Sequence, residues 1–153
     1  MGSLNTNPHK PKLPPGIHDS DLADFYQLTV KSYPEDNRRH TLWAGFLALY
    51  RRLIDAGLHG LELWIDGSFL TNKEEPSDID CALWIPEEHI QQCTDQQYDE
   101  LCQLKDVIAI RNKYLTHLYI LPANDPSSIQ HWESFFTYGR DANNPKGFLR
   151  IAL

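Results

Sequence analysis

Residues 77 to 85, Ser-Asp-Ile-Asp-Cys-Ala-Leu-Trp-Ile, constrain this chain more than any other stretch. An apolar run at strand spacing opens with two acids, Asp78 and Asp80. Alternate side chains of a strand share a face, so the spacing places both carboxylates on one side. Two like charges that close invite a cation. A strand also needs a sheet. Leu61 to Ile65 reads as a strand running into the turn Asp66-Gly67-Ser68, Tyr114 to Leu121 as a third strand, and Gly147 to Leu153 as a closing one.

Helical spacing accounts for most of the remainder. From Asp36 to Ala56, the positions Leu42, Phe46, Leu49, Tyr50, Leu53 and Ile54 mark an amphipathic helix, with Gly57 as its left-handed stop. Asp19 or Ser20 caps a helix reaching Lys31, and Pro34 separates the two. Pro86 to Leu104 suggests a helix with sparse apolar positions, and Ser127 or Ser128 caps a short one through Phe136. Residues 1–16, with Pro8, Pro11, Pro14, Pro15 and Gly16, read as a flexible arm, leaving 17–153 as a single domain. Helices and strands interleave without regular alternation, which predicts an α+β fold, a mixed β-sheet packed with helices.

Composition narrows the function classes. The 153 residues suffice for one core. With 14 Lys and Arg against 21 Asp and Glu the net charge is −7, which argues against bulk attraction to nucleic acid or an anionic membrane. Nine of the acids lie between Glu74 and Leu104, where no Lys or Arg occurs, so the remainder is slightly basic. No apolar stretch is long enough to span a membrane and no signal peptide opens the sequence, so a soluble, cytoplasmic protein is expected. Cys81, Cys93 and Cys102 have neither the pairing of a disulfide framework nor the spacing of a zinc site, and read as reduced thiols. Trp43, Trp64, Trp84 and Trp132 fall on apolar faces and read as core.

The chemistry sits in Gly67-Ser68 followed, after a loop, by Asp78-x-Asp80. A glycine lets a phosphate approach the backbone, and a serine hydroxyl can bond a phosphate oxygen. Two carboxylates two residues apart can hold Mg²⁺ against a triphosphate, because magnesium favours one or two carboxylates plus substrate oxygens and water. Lys73, in the intervening loop, can reach a phosphate, and Arg140 and Lys146 can present cations to a nucleotide or an acceptor.

In these residues the chain resembles the nucleotidyltransferase superfamily, the DNA polymerase beta-like fold. That signature is a hydrophobic residue with Gly-Ser, a gap, then Asp-hydrophobic-Asp-hydrophobic, matched by Ile65-Asp66-Gly67-Ser68 and Asp78-Ile79-Asp80-Cys81. More narrowly it is similar to small, largely uncharacterised bacterial and phage nucleotidyltransferase-like proteins. The matching stretches are Leu13 to His18, Asp66 to Asp80, Arg140-Asp141 and Pro145-Lys146-Gly147. The resemblance implies a compact nucleotidyltransferase-like domain in which Gly67 and Ser68 meet a nucleoside triphosphate and Asp78 and Asp80 hold Mg²⁺ or Mn²⁺. It also implies a third acid on a following strand, and there this chain has His117. Imidazole is a competent ligand or base, but a poorer magnesium partner than a carboxylate, and favours manganese.

Two functions follow. One is transfer of a nucleoside monophosphate from an NTP to a hydroxyl of a protein, an RNA or a small molecule, the acceptor being brought by a partner or a second copy. The other is a catalytically impaired module of the same fold that binds nucleotide or serves as an antitoxin. Proteins of similar build take part in toxin–antitoxin pairs and phage defence, an analogy of fold alone.

Overall fold

The structure is a computed structural model that describes residues 10–139 and 143–153. Five strands form one mixed sheet: β1 (Gly16–Asp19), β2 (Glu62–Asp66), β3 (Ile79–Ile85), β4 (Thr116–Pro122) and β5 (Gly147–Ala152), in the order β1-β5-β2-β3-β4. β2 runs antiparallel to both β3 and β5, while β1 with β5 and β3 with β4 are parallel pairs. Parallel neighbours need a crossover. Between β3 and β4 it is made by α3 (Glu87–Gln91), α4 (Asp95–Leu104) and α5 (Val107–Tyr114). The remaining helices are α1 (Leu22–Tyr26), continued by a π-turn at Gln27–Lys31, α2 (Asn37–Asp55) and α6 (Pro126–Tyr138). Among the described residues no helix is long and apolar enough to cross a membrane.

Each face of the sheet has its own cover. Leu63, Ile65, Cys81, Leu83 and Leu118 are buried on the same core as the α2 stripe Leu42, Phe46, Leu49 and Leu53. On the other face Trp64, Ala82 and Tyr119 stand in register, and α6 lays Phe136 beside Trp64 and Trp132 against Tyr119. Phe148 completes that aromatic layer. Trp43 and Trp132 are only half-buried, each lodged among other rings.

Several elements differ from the sequence reading. The helix expected from Asp19 or Ser20 begins at Leu22, because Asp21 accepts the Asp24 amide as its cap. The single helix expected over Pro86 to Leu104 is two, since Thr94 and Gln97 form a reciprocal capping box that starts α4 afresh. α5 falls where no helix was expected, capped by Asp106, and it ends on Leu115 in the left-handed region at φ 56°. Asp125, not Ser127 or Ser128, caps α6, with Pro126 at its first position. The described part of the arm, residues 10–16, is tied down, and Gly16 already belongs to β1. Asp78 lies just ahead of β3 rather than within it.

Candidate active site

The strands bring both halves of the motif to one end of the sheet. β2 ends at Asp66, so Gly67 and Ser68 emerge there, and β3 begins one residue after Asp78. Asp66 is in register with Asp80, and Asp80 in turn with His117 on β4. Register partners share a face, so these three side chains form a row across the strands. Gly67 adopts φ 102°, a conformation open to glycine. A Cβ there would stand 3.0 Å from Asp80 Oδ2, so the missing side chain leaves that carboxylate uncovered. After it, Ser68–Leu70 turns as a short 3₁₀ helix, with the Thr71 amide and hydroxyl both donating to the Ser68 carbonyl.

The row is strongly acidic, and cations from other elements answer it. Arg111, in the last turn of α5, pairs with Asp78 at 3.1 Å. Lys146, just ahead of β5, pairs with Asp66, whose carboxylate also accepts the Gly67 amide. Burial raises the Asp66 pKa, opposed by Lys146. Asp80 has no such direct partner among the described contacts. Loss of solvent, then repulsion from Asp78 and Asp66, pushes its pKa up to about 7, although its side chain is 34% exposed. His117 Nδ1 stands 3.8 Å from Asp80 Oδ1 and 3.4 Å from the Tyr119 hydroxyl, and partial burial lowers its pKa. His117 and Tyr119 also lie ring against ring, 4.4 Å apart.

Of the residues expected here, Gly67, Ser68, Asp78, Asp80, His117 and Lys146 are thus gathered at one end of the sheet. Lys73 belongs to the connecting loop, where its amide donates to Thr71 Oγ1 and its carbonyl accepts from Arg39. Arg140 lies outside the described residues. The sequence reading missed Asp66, Arg111, Tyr119, Arg38 and Arg39. A signal existed for Arg39, which interrupts the otherwise apolar stripe of α2 three residues before Leu42. It is buried all the same.

Among the described residues no three His, Cys, Asp or Glu side chains form a ready metal cage. The donor set nevertheless fits a hard cation that brings its own ligands. Two adjacent carboxylates, one of them without a direct Lys or Arg pair among the described residues and repelled by its acidic neighbours, match the one or two that magnesium takes alongside phosphate oxygens and water.

Comparison with curated proteins and with solved structures finds no match. A family model does match, over residues 4–152, and the chain belongs to that family, the family of unknown function DUF6932.

Proposed function

We propose that this chain is a nucleotidyltransferase of the DNA polymerase beta-like superfamily, moving a nucleoside monophosphate from an NTP to a hydroxyl acceptor as the bond between the α- and β-phosphates breaks and pyrophosphate leaves. The observation that carries the reading is the meeting of Gly67 with Asp80: two motif halves separated in sequence come within 3.0 Å of where a Cβ would be. The antiparallel pairing of β2 with β3, which sets Asp66 opposite Asp80, is what brings the two halves together.

Asp78 and Asp80 would hold the divalent cation, Mg²⁺ or Mn²⁺, with Asp66 in register beside them. Such a cation offsets charge on the phosphoryl group being transferred. The chain's own residues do the rest. Ser68 donates its hydroxyl to a phosphate oxygen. Lys146, held by Asp66 next to Gly67, offers an ammonium to the same phosphates, and Arg111 a guanidinium from the Asp78 side. Neutral His117, in the slot where an acid is expected, accepts the proton of the attacking hydroxyl. A protein or RNA acceptor meets the open end of the row.

A second reading, a nucleotide-binding or antitoxin module without transfer, is favoured by one observation. Arg111 and Lys146 already neutralise two of the three carboxylates, and β4 offers histidine rather than an acid. Labelling separates the two. Each α-³²P NTP is incubated with Mg²⁺ or Mn²⁺, a cell lysate and either the wild-type chain or the Asp78→Asn, Asp80→Asn double variant. Label on an acceptor with wild type alone is expected. No label from any NTP, with nucleotide still bound, would leave the binding module.

A further inference from the structure

Nine residues, Phe69 to Ser77, separate the two halves of the site, and their chain is largely irregular. Its regular features are the end of the 3₁₀ turn and a single bridge from Thr71 to Pro11. Carbonyls in such a loop lack the ladder partners of a strand, so their donors must come from elsewhere. The first turn of α2 supplies them for Phe69, Thr71, Lys73, Pro76 and Ser77. Arg39 is fully buried. Its Nη1 donates to the carbonyls of Thr29 (2.9 Å) and Phe69 (2.8 Å), and its Nη2 to those of Thr71 (2.7 Å) and Lys73 (2.9 Å). The guanidinium lies 4.1 Å from the Tyr33 ring and 5.2 Å from that of Phe69. Arg38, half-buried beside it, takes the far end of the loop, with Nε on the Pro76 carbonyl (3.2 Å) and Nη2 on that of Ser77 (2.6 Å). Asp36, the cap of α2, accepts the Glu75 amide and lies 3.5 Å from Arg39 Nε.

A buried cation is an expensive way to fill a core, and apolar side chains often do so with equal or greater stability. What Arg39 adds is geometry. A planar fork fixes several carbonyls at once, which a lysine ammonium on a flexible stem does not. The two arginines divide the loop. Arg39 grips the part that follows Ser68, and Arg38 the two residues that precede Asp78.

We infer that Arg38 and Arg39 are positioning residues with separate duties: Arg39 sets the phosphate-facing Ser68 turn, and Arg38 sets the cation-facing carboxylate of Asp78. The inference rests on the nucleotidyltransferase reading and names residues that act through the site without touching the substrate. Two titrations test it on the full chain. Mn²⁺ affinity is measured by electron paramagnetic resonance, and affinity for α,β-methylene-ATP and its GTP counterpart by calorimetry at saturating Mn²⁺.

Arg38→Ala is expected to weaken Mn²⁺ binding about tenfold, the scale seen when a residue supporting a metal ligand is lost, while analogue affinity recovers at saturating metal. Arg39→Lys is expected to do the reverse, leaving Mn²⁺ within about twofold and weakening the analogues about tenfold. Equal losses of both ligands in both variants, or unchanged Mn²⁺ affinity in Arg38→Ala, would overturn it. Should Arg39→Lys fail to fold, Arg38→Ala, at a half-exposed position, decides alone. Asp80→Asn is the control. If it binds Mn²⁺ like wild type, the nucleotidyltransferase reading falls and this inference with it. If it loses Mn²⁺ while Arg38→Ala does not, this inference alone falls.

Discussion

Asp80 is the residue at which burial and charge act together. Loss of solvent and the neighbouring carboxylates Asp78 and Asp66 hold its proton to about pH 7, against about 4 for an unfolded aspartate. Between those values the folded chain keeps a proton that the unfolded chain has released. The stability carried by neutral Asp80 is therefore complete below about pH 4 and is lost as pH rises through 7. Asp80→Asn never ionises and escapes that loss. With the side chain one-third exposed, solvent screening limits the gain to roughly 1–2 kcal/mol at pH 8, and it should shrink at pH 5 and vanish below about pH 4. Urea midpoints of both proteins, in chelator, at the two pH values measure it. An equal gap at pH 5 and pH 8 would show that Asp80 is already ionised in the folded chain at both.

At the scale of elements, the contact that orients the site is the crossing of α2 and α5. Gly45, in mid-α2, lies so near the last turn of α5 that a Cβ would stand 2.3 Å from the Tyr114 carbonyl oxygen. That turn carries Arg111, and Leu115 after it accepts the Ile79 amide at the head of β3. Gly45→Ala gains about 1 kcal/mol of helix propensity. The clash with backbone costs more, so a net loss of about 1–3 kcal/mol is expected by chemical denaturation. Unchanged or raised stability would mean that α5 moves aside freely. None of this was readable beforehand, because a small residue in a helix says nothing about which helix it meets. α2 itself was legible in its apolar stripe, and β2, β3 and β5 in their apolar runs. α5 was not, since its eight residues bury only Ile110 and Tyr114 and end on a left-handed leucine that no glycine announces. The break at Thr94 was written in the sequence as Thr-x-x-Gln, though an acidic stretch with few apolar positions hides it. The two motif halves could be read because each is local. Asp66, Arg38 and Arg111 join the site through tertiary contacts, which no spacing encodes, and Arg39 shows in the sequence only as a break in the apolar stripe of α2.

The molecule as a whole closes around its site with a strap from the other end of the chain. Lys10 and Asn72 exchange hydrogen bonds, the Lys12 amide donates to the Leu70 carbonyl, and the Gly147 amide donates to that of Leu13. The four residues Lys10 to Leu13 thus join the loop after Ser68 to the segment that carries Lys146. Gly147 has no room for a side chain there, since a Cβ would fall 2.0 Å from the Pro14 carbonyl oxygen. These bonds contribute about 1 kcal/mol each, and ordering the strap costs about 1–2 kcal/mol per residue, so the net effect on global stability is small. Its effect on the two loops is direct. A chain beginning at Pro15 should unfold at nearly the wild-type denaturant midpoint. Its amides at residues 70–73 and at Gly147 should nonetheless exchange at least tenfold faster, since each loop loses about 1–2 kcal/mol of restraint. Hydrogen exchange read by mass spectrometry compares those peptides with β3. Acceleration spread evenly into β3 would show that the strap holds up the whole fold. Unchanged exchange at 70–73 and Gly147 would show that the two loops keep their places without it, leaving Arg38 and Arg39 to hold the first of them.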